Sequence, residues 1–183
     1  MNDLVESTEH TLPDGRKVTA NVYYDDDRDS PNDWGGNGTF HVFERGSAFW
    51  KAAEETFGNK AKRVVNDLVQ GVDVKHKGRT YVGLERYRHS GDVYARCGKG
   101  HFPDRQWDVS PIVGWWESNA DSPVEQFDSC LKTWNQYVGG DIYRIEISDA
   151  DGEYLDGLGG IYGYAEADHH IEAMLDDLTE NAP

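Results

Sequence analysis

Four carboxylates near the C-terminus have the spacing of one helix face. Asp168, Glu172, Asp176 and Glu180 follow one another at intervals of four residues, so a helix places them in a line about 6 Å apart along its axis. Like charges at this spacing disfavour the helix by about 0.2–0.5 kcal/mol per pair. Successive phosphates of a nucleic-acid strand have a comparable separation. This carboxylate row is therefore predicted to imitate a nucleic-acid backbone, unless it is only a solvated helix face.

The sequence predicts that helices and strands position this carboxylate row. Apolar residues recur at helical spacing in the segments 47–58, 59–71, 122–139 and 164–178. The third segment opens on Ser122-Pro123-Val124-Glu125, which has the pattern of a capping box with proline at the first helical position. In the last segment the apolar face predicts burial of Tyr164, Ala167, Ile171, Met174, Leu175 and Leu178.

The intervening sequence predicts β-strands. Strand-like segments are 18–24, 39–43, 92–97 and 112–116, with hairpins turning at Lys77-Gly78 and around Asp149-Ala150-Asp151-Gly152. The chain contains no internal repeat and no linker long enough to require two domains. We therefore predict an α+β fold, a single domain over residues 1–183 with an antiparallel sheet and about four helices packed on it.

The net charge is unevenly distributed along the chain. The 183 residues carry −16, of which residues 1–45 hold −6, residues 46–110 hold +4 and the acidic C-terminal third, residues 111–183, holds −14. Because phosphate contacts depend on Lys and Arg, this charge disfavours general binding of nucleic acid or of an anionic membrane. The excess of 21 Asp and 13 Glu over eight Lys is also typical of a protein from a saline cytoplasm.

The sequence predicts a soluble, cytoplasmic protein. It has no run of 18 apolar residues, and its first ten residues lack the basic and apolar regions of a signal peptide. The two cysteines, Cys97 and Cys130, are too few for a disulfide scaffold and fit a reducing compartment.

The middle of the chain mixes basic and aromatic residues, the composition that grips single-stranded nucleic acid through phosphate contacts and stacking. The alternative is that these bases pair with acids of the same chain, or with those of a second copy in a homodimer. The basic residues are Lys75, Lys77, Arg79, Arg86, Arg88, Arg96, Lys99 and Arg105, and the aromatic ones are Tyr81, Tyr87, Tyr94 and Phe102.

Catalytic and metal-binding patterns are weak. His89, Asp108 and Ser110 supply the residue types of a hydrolytic triad beside Trp107, but they lack the G-x-S-x-G context of a nucleophile elbow. Cys97 and His101 form one loose pair where a structural zinc site has two, so neither a metal nor a cofactor is predicted. An enzyme or ligand-binding domain around His89, Trp107, Asp108 and Ser110 is the third hypothesis, and a non-enzymatic protein is favoured over it.

Several segments resemble a known family in their order and spacing. They are YYDDDRDSPNDWGGNGTFHVF, RYRHSG, QWDVSPIVGWWE, LKTWNQYVGGDIYRIEI and DGLGGIYG. The resemblance is to an uncharacterised family of small proteins from phages, prophages and plasmids, and it covers residues 22–165 in patches. Where family members often carry cysteines, this chain has Gln106 and a glycine at or near Gly159, which argues against cysteine chemistry. The family implies a mobile-element context, in which inhibitors of host defence are common.

Together these features predict a DNA mimic, an acidic mobile-element protein that binds the nucleic-acid-binding surface of a host defence protein and so inhibits it. Direct binding of nucleic acid or of a membrane is not expected. The residues predicted to contact the partner are Asp168, Glu172, Asp176 and Glu180, helped by Glu166, Asp149, Asp151 and Glu153.

Overall fold

The structure is a computed structural model that describes residues 3–44, 46–102, 108–119 and 124–180. The chain forms two compact units. Unit 1 combines both ends of the chain, residues 1–29 and 140–183, and unit 2 comprises residues 30–139.

The helices and strands follow one another along the chain in an irregular α+β order. They are β1 (Leu4–Thr11), β2 (Lys17–Tyr24), β3 (Gly38–Val42), α1 (Gly46–Phe57), α2 (Ala61–Val69), β4 (Val74–His76), β5 (Arg79–Arg88), β6 (Asp92–Arg96), β7 (Val109–Ser118), α3 (Phe127–Gly139), β8 (Ile142–Asp149), β9 (Tyr154–Tyr162) and α4 (Tyr164–Glu180), with 3-10 turns at Pro31–Trp34, Gly58–Lys60 and Val124–Gln126.

Unit 1 is an antiparallel sheet of order β1-β2-β8-β9 with α4 packed against one face. Alternate residues of β2 and β8 point to this face, and their apolar side chains meet the buried side of α4. The core consists of Leu12, Val18, Ala20, Val22, Tyr143, Ile145, Ile147, Ile161, Ala167, Ile171 and Met174. The helix is thereby held by its apolar stripe, with its polar side turned to solvent.

Unit 2 is a second antiparallel sheet, of order β3-β7-β5-β4, with β6 paired to β5. Trp115 and Trp116 are adjacent on β7, so they point to opposite faces, and both are fully buried. Trp115 packs with the apolar sides of α1 and α2. Trp116 packs with Phe127 and Trp134 of α3. Helices therefore cover both faces of this sheet.

Strand β7 contains a bulge opposite β5. Leu84 pairs with Gly114 and Arg86 pairs with Ser110, so the three residues 111–113 lie opposite the single residue Glu85. The Cys97 thiol donates a hydrogen bond to the carbonyl oxygen of Pro111 at 3.2 Å, within this bulge. A bulge of this kind re-aims neighbouring side chains and is frequent beside binding sites.

The α+β class and the antiparallel pairing predicted from the sequence are confirmed, but the prediction of one sheet with about four helices packed on it is wrong. Helix α4 packs on the first sheet, and α1, α2 and α3 pack on the second. The strands divide into two sheets because β2 pairs with β8, which lies more than a hundred residues further along the chain. One domain over residues 1–183 stays a prediction. Ser122 and Pro123, half of the predicted capping box, lie outside the described residues. In the part of the chain that the structure describes, no helix is both long and apolar enough to cross a membrane.

Candidate functional site

The carboxylate row lies on the exposed side of α4. Asp168, Glu172, Asp176 and Glu180 are all solvent-exposed, whereas Ala167, Ile171 and Met174 of the same helix are buried. The helix is continuous over 17 residues, so the four carboxylates share one side of it. Its packing against the sheet fixes that side relative to unit 1.

The division into units changes how the charge is assigned. Unit 1 contains 20 acidic and four basic residues, whereas unit 2 contains 14 of each. The whole net charge of −16 therefore belongs to unit 1. The first 29 residues, which fold with the C-terminal segment, contribute eight of these acids.

The predicted partner-binding residues outside the row differ in their roles. Asp151, Glu153 and Glu166 are exposed. Asp149 is half-buried, and its Oδ1 accepts hydrogen bonds from the backbone amides of Asp151 and Glu153, each at 2.9 Å. The Asp149 carboxylate therefore closes the β8–β9 turn, which makes it the least free of these groups to meet a partner.

Arg16 supports the C-terminal end of α4, a role that no sequence pattern indicated. Its Nη2 donates to the carbonyl oxygen of Leu178 at 2.9 Å, and its Nε pairs with Asp14 at 2.6 Å. A cation at the C-terminal end of a helix stabilises it by opposing the negative end of the helix dipole. Arg16 thus ties α4 to the turn after β1. No spacing pattern signals this contact, since 162 residues separate the two partners.

The same substitution at two positions of α4 is expected to change stability in opposite directions. Glu172→Gln removes two like-charge pairs, with Asp168 and Asp176, and should raise the free energy of unfolding by about 0.4–1 kcal/mol. Glu166→Gln removes an acid from the first turn, where a negative charge interacts favourably with the helix dipole. This substitution should lower the free energy of unfolding by about 0.3–1 kcal/mol. Urea unfolding followed by far-UV circular dichroism measures both. If both variants change the free energy of unfolding by the same amount, the carboxylate row does not destabilise α4.

Four of the eight basic residues of the middle segment form ion pairs within the described part of unit 2. Arg79 pairs with Glu117 and Arg96 with Asp73, while Arg86 and Arg88 share Glu44 and Asp92. The hydrogen bond from Arg88 holds the pKa of Asp92 below its usual value. Tyr81 and Tyr94 belong to the apolar cores. These contacts favour the interpretation that the bases neutralise acids of the same chain, and Arg105 lies outside the described residues.

The residues of the catalytic hypothesis are only partly brought together. His89 Nδ1 lies 3.2 Å from Asp108 Oδ2, with 69% of the His89 side chain and 31% of the Asp108 side chain exposed. Ser110 lines a cavity with Arg86 and Phe49, and neither His89 nor Asp108 is among the residues of its wall. Trp107 lies outside the described residues. The geometry therefore gives an exposed histidine–carboxylate pair and, separately, a serine in a cavity.

In the part of the chain that the structure describes, the two cysteines do not share a site. Cys97 is buried at the β7 bulge, and Cys130 lines a cavity of about 220 Å³ with Trp34 and Phe40. Burial raises the pKa of the Cys130 thiol, which keeps it protonated and weakly nucleophilic at neutral pH. Among the residues that the structure describes, no three His, Cys, Asp or Glu side chains are grouped as a metal ion requires.

Comparison with protein-family models, curated proteins and solved structures gave no match to this chain. The resemblance to mobile-element proteins stays a prediction that rests on its motifs.

Proposed function

We propose that this chain is a non-enzymatic protein-binding module whose unit 1 imitates the phosphates of DNA. In this proposal the carboxylate row and the neighbouring acids occupy the basic groove of a host nucleic-acid-binding protein. The groove would then be closed to DNA. A mobile element gains from such a protein when the blocked partner is part of host defence.

The observation that carries the proposal is the confinement of the net charge to one unit. Unit 1 has 20 acids against four bases, and its row presents four exposed carboxylates on one helix. A saline environment would favour acids on the surfaces of both units, yet unit 2 has no net charge. The uneven distribution supports a surface on unit 1 that attracts a basic partner.

The rigidity of α4 adds a second support. The helix is anchored by Ala167, Ile171 and Met174 in the core and by Arg16 at its C-terminal end. A fixed row loses little conformational entropy on binding, which favours affinity. The repulsion between its carboxylates destabilises α4. Such a local cost is expected at a functional surface, and binding to a basic partner would offset it.

The test is competition with DNA. The immobilised full chain is loaded with host extract, and the retained proteins are challenged with a DNA duplex, with heparin or with polyglutamate at equal charge. We expect the duplex to release the retained partner at the lowest concentration, because it competes for the same groove. Retention should also fall steeply as salt rises, since the Debye length is already about 10 Å at 0.1 M.

Two outcomes would overturn the proposal. Release by polyglutamate as effective as release by DNA would show that the surface acts as a general polyanion. Retention that neither DNA nor salt affects would show that the contact is not electrostatic. An electrophoretic mobility shift with the purified partner and a labelled duplex then measures whether the chain displaces DNA directly.

A further inference from the structure

A small cavity in unit 2 combines aromatic walls with polar groups. It measures about 230 Å³ and lies where β7 bulges away from β5. Its wall consists of Phe43, Glu44, Gly46, Phe49, Trp50, Arg86, Ser110, Ile112 and Val113. Ligand sites for drug-sized molecules usually occupy about 300–1,000 Å³, so this cavity, here called the Arg86 cavity, fits a ligand with a single ring.

Arg86 is the buried charge of this cavity. Only 8% of its side chain is exposed, and its Nη1 lies 2.8 Å from Glu44 Oε1 and 3.6 Å from Asp92 Oδ2. The guanidinium also donates to the Tyr94 hydroxyl, which leaves Nε as the nitrogen without a hydrogen-bond partner among the described residues. A buried guanidinium with an unsatisfied donor is costly unless an acceptor reaches it. Because Arg86 belongs to the cavity wall, a ligand with an anionic group in the cavity would supply an acceptor to this guanidinium.

The N-terminus of α1 is a second, independent feature that favours an anion. Gly46 is both the first residue of this 12-residue helix and part of the cavity wall, and the first turn contains no acidic residue. The free amides of a helix N-terminus attract negative charge. The Ser110 side chain, a further hydroxyl donor, belongs to the same wall.

Aromatic side chains define the shape of the ligand. Phe49 contacts Trp50 edge-to-face with ring centroids 5.6 Å apart, and it contacts Phe43 at 6.1 Å. Trp50 remains 42% exposed at the rim. Such walls favour a flat ring, which gains both apolar burial and ring contacts.

Glu44 occupies the place where the anionic group of a ligand would bind. Its side chain is 63% exposed, and besides Arg86 it contacts Arg88 Nη2 at 3.3 Å. Arg86, Arg88, Glu44 and Asp92 together carry no net charge. If the exposed Glu44 side chain turns outward, one positive charge is left uncompensated, which matches a monoanion.

We propose that the Arg86 cavity binds a monocyclic aromatic carboxylate. The carboxylate displaces Glu44 from Arg86 and meets the N-terminus of α1, while the ring lies against Phe49 and Trp50. The inference concerns unit 2 alone and is independent of the protein partner proposed for unit 1.

The test titrates the full chain with benzoate and with its uncharged analogue benzamide, followed by calorimetry and by the indole NMR signals. Benzoate is expected to bind at least about tenfold more tightly, the factor that a charge-assisted hydrogen bond supplies. Glu44→Gln should strengthen benzoate binding by about two- to fivefold, because it removes a competing exposed carboxylate. Glu54→Gln, an exposed acid on α1 outside the cavity wall, is the matched control and should leave the affinity unchanged.

Three outcomes would overturn the proposal. Equal affinity for benzoate and benzamide would show that the negative charge of the ligand does not contribute to binding. Equal effects of Glu44→Gln and Glu54→Gln would show that only overall charge matters. Absence of benzoate binding to both the native chain and Glu44→Gln, with unchanged circular dichroism, would dismiss the site. Trp50→Ala, at the exposed rim, tests the ring contact without touching the buried arginine and should weaken binding.

Discussion

Reversing the carboxylate row is expected to abolish capture of the proposed partner. In the variant with Asp168, Glu172, Asp176 and Glu180 all changed to Lys, four charges that would attract a basic groove become four that repel it. We expect the affinity to fall by at least about a hundredfold, because like charges facing each other across an interface cost several kcal/mol in total. The measurement is surface plasmon resonance against the partner identified by DNA competition.

The fold of this variant should be preserved. All four positions are exposed, and Lys is a good helix former. The four lysines repel one another much as the carboxylates did, so the repulsion along α4 changes little. At positions 176 and 180 a positive charge also suits the C-terminal end of the helix better. Circular dichroism and the thermal midpoint should remain close to those of the native chain.

The matched control places the same change of charge in unit 2. Asp33, Glu54, Glu125 and Asp128 are exposed acids outside unit 1, and their replacement by Lys alters the net charge of the chain by the same amount. We expect this control to retain most of the affinity. If both variants lose capture equally, the row has no special role, and if neither loses it, the proposed function fails.

Local features of the fold could be predicted because each depends on neighbouring residues. The stripe on α4 and the spacing of its carboxylates follow from a period that the sequence displays directly. The turns at Lys77-Gly78 and Asp149–Gly152 follow from Gly78 and Gly152, which adopt the positive φ that glycine accepts without strain. By contrast, β1 was missed, since the segment LVESTEHT has little apolar alternation and remains mostly exposed at the sheet edge.

The acidic residues are brought together in unit 1 by the pairing of β2 with β8. No pattern among neighbouring residues in the sequence specifies this pairing. Val18 pairs with Asp149, and this contact joins the acidic N-terminal residues to the acidic C-terminal third. In the sequence the acidic residues lie in two separate segments, near the N-terminus and in the C-terminal third. In the fold these two segments form unit 1, which therefore carries the whole net charge. Arg86 illustrates the same limit, because its sequence neighbours indicate a basic segment whereas its spatial neighbours form a cavity.

Gly114→Ala is expected to destabilise unit 2 more than any other single substitution proposed for this chain. Gly114 lies on β7 opposite Val42 of β3, and the two backbones approach so closely there that an added Cβ would overlap the carbonyl oxygen of His41. The carbonyl carbon of His41 would be 2.9 Å from the new atom. Because the obstacle is backbone, no side-chain rotation relieves it, and the strands must separate.

We expect Gly114→Ala to lower the free energy of unfolding by about 3 kcal/mol or more, a large part of the roughly 5–15 kcal/mol of a typical domain. All six tryptophans belong to unit 2, so urea unfolding followed by tryptophan fluorescence reports this unit specifically. The control is Gly91→Ala, since Gly91 lies in the exposed loop between β5 and β6 and an added Cβ meets no atom within 4 Å. Its effect should stay within about 0.5 kcal/mol. If the two alanine variants unfold at the same urea concentration, the β3–β7 backbone contact is not as close as the structure places it.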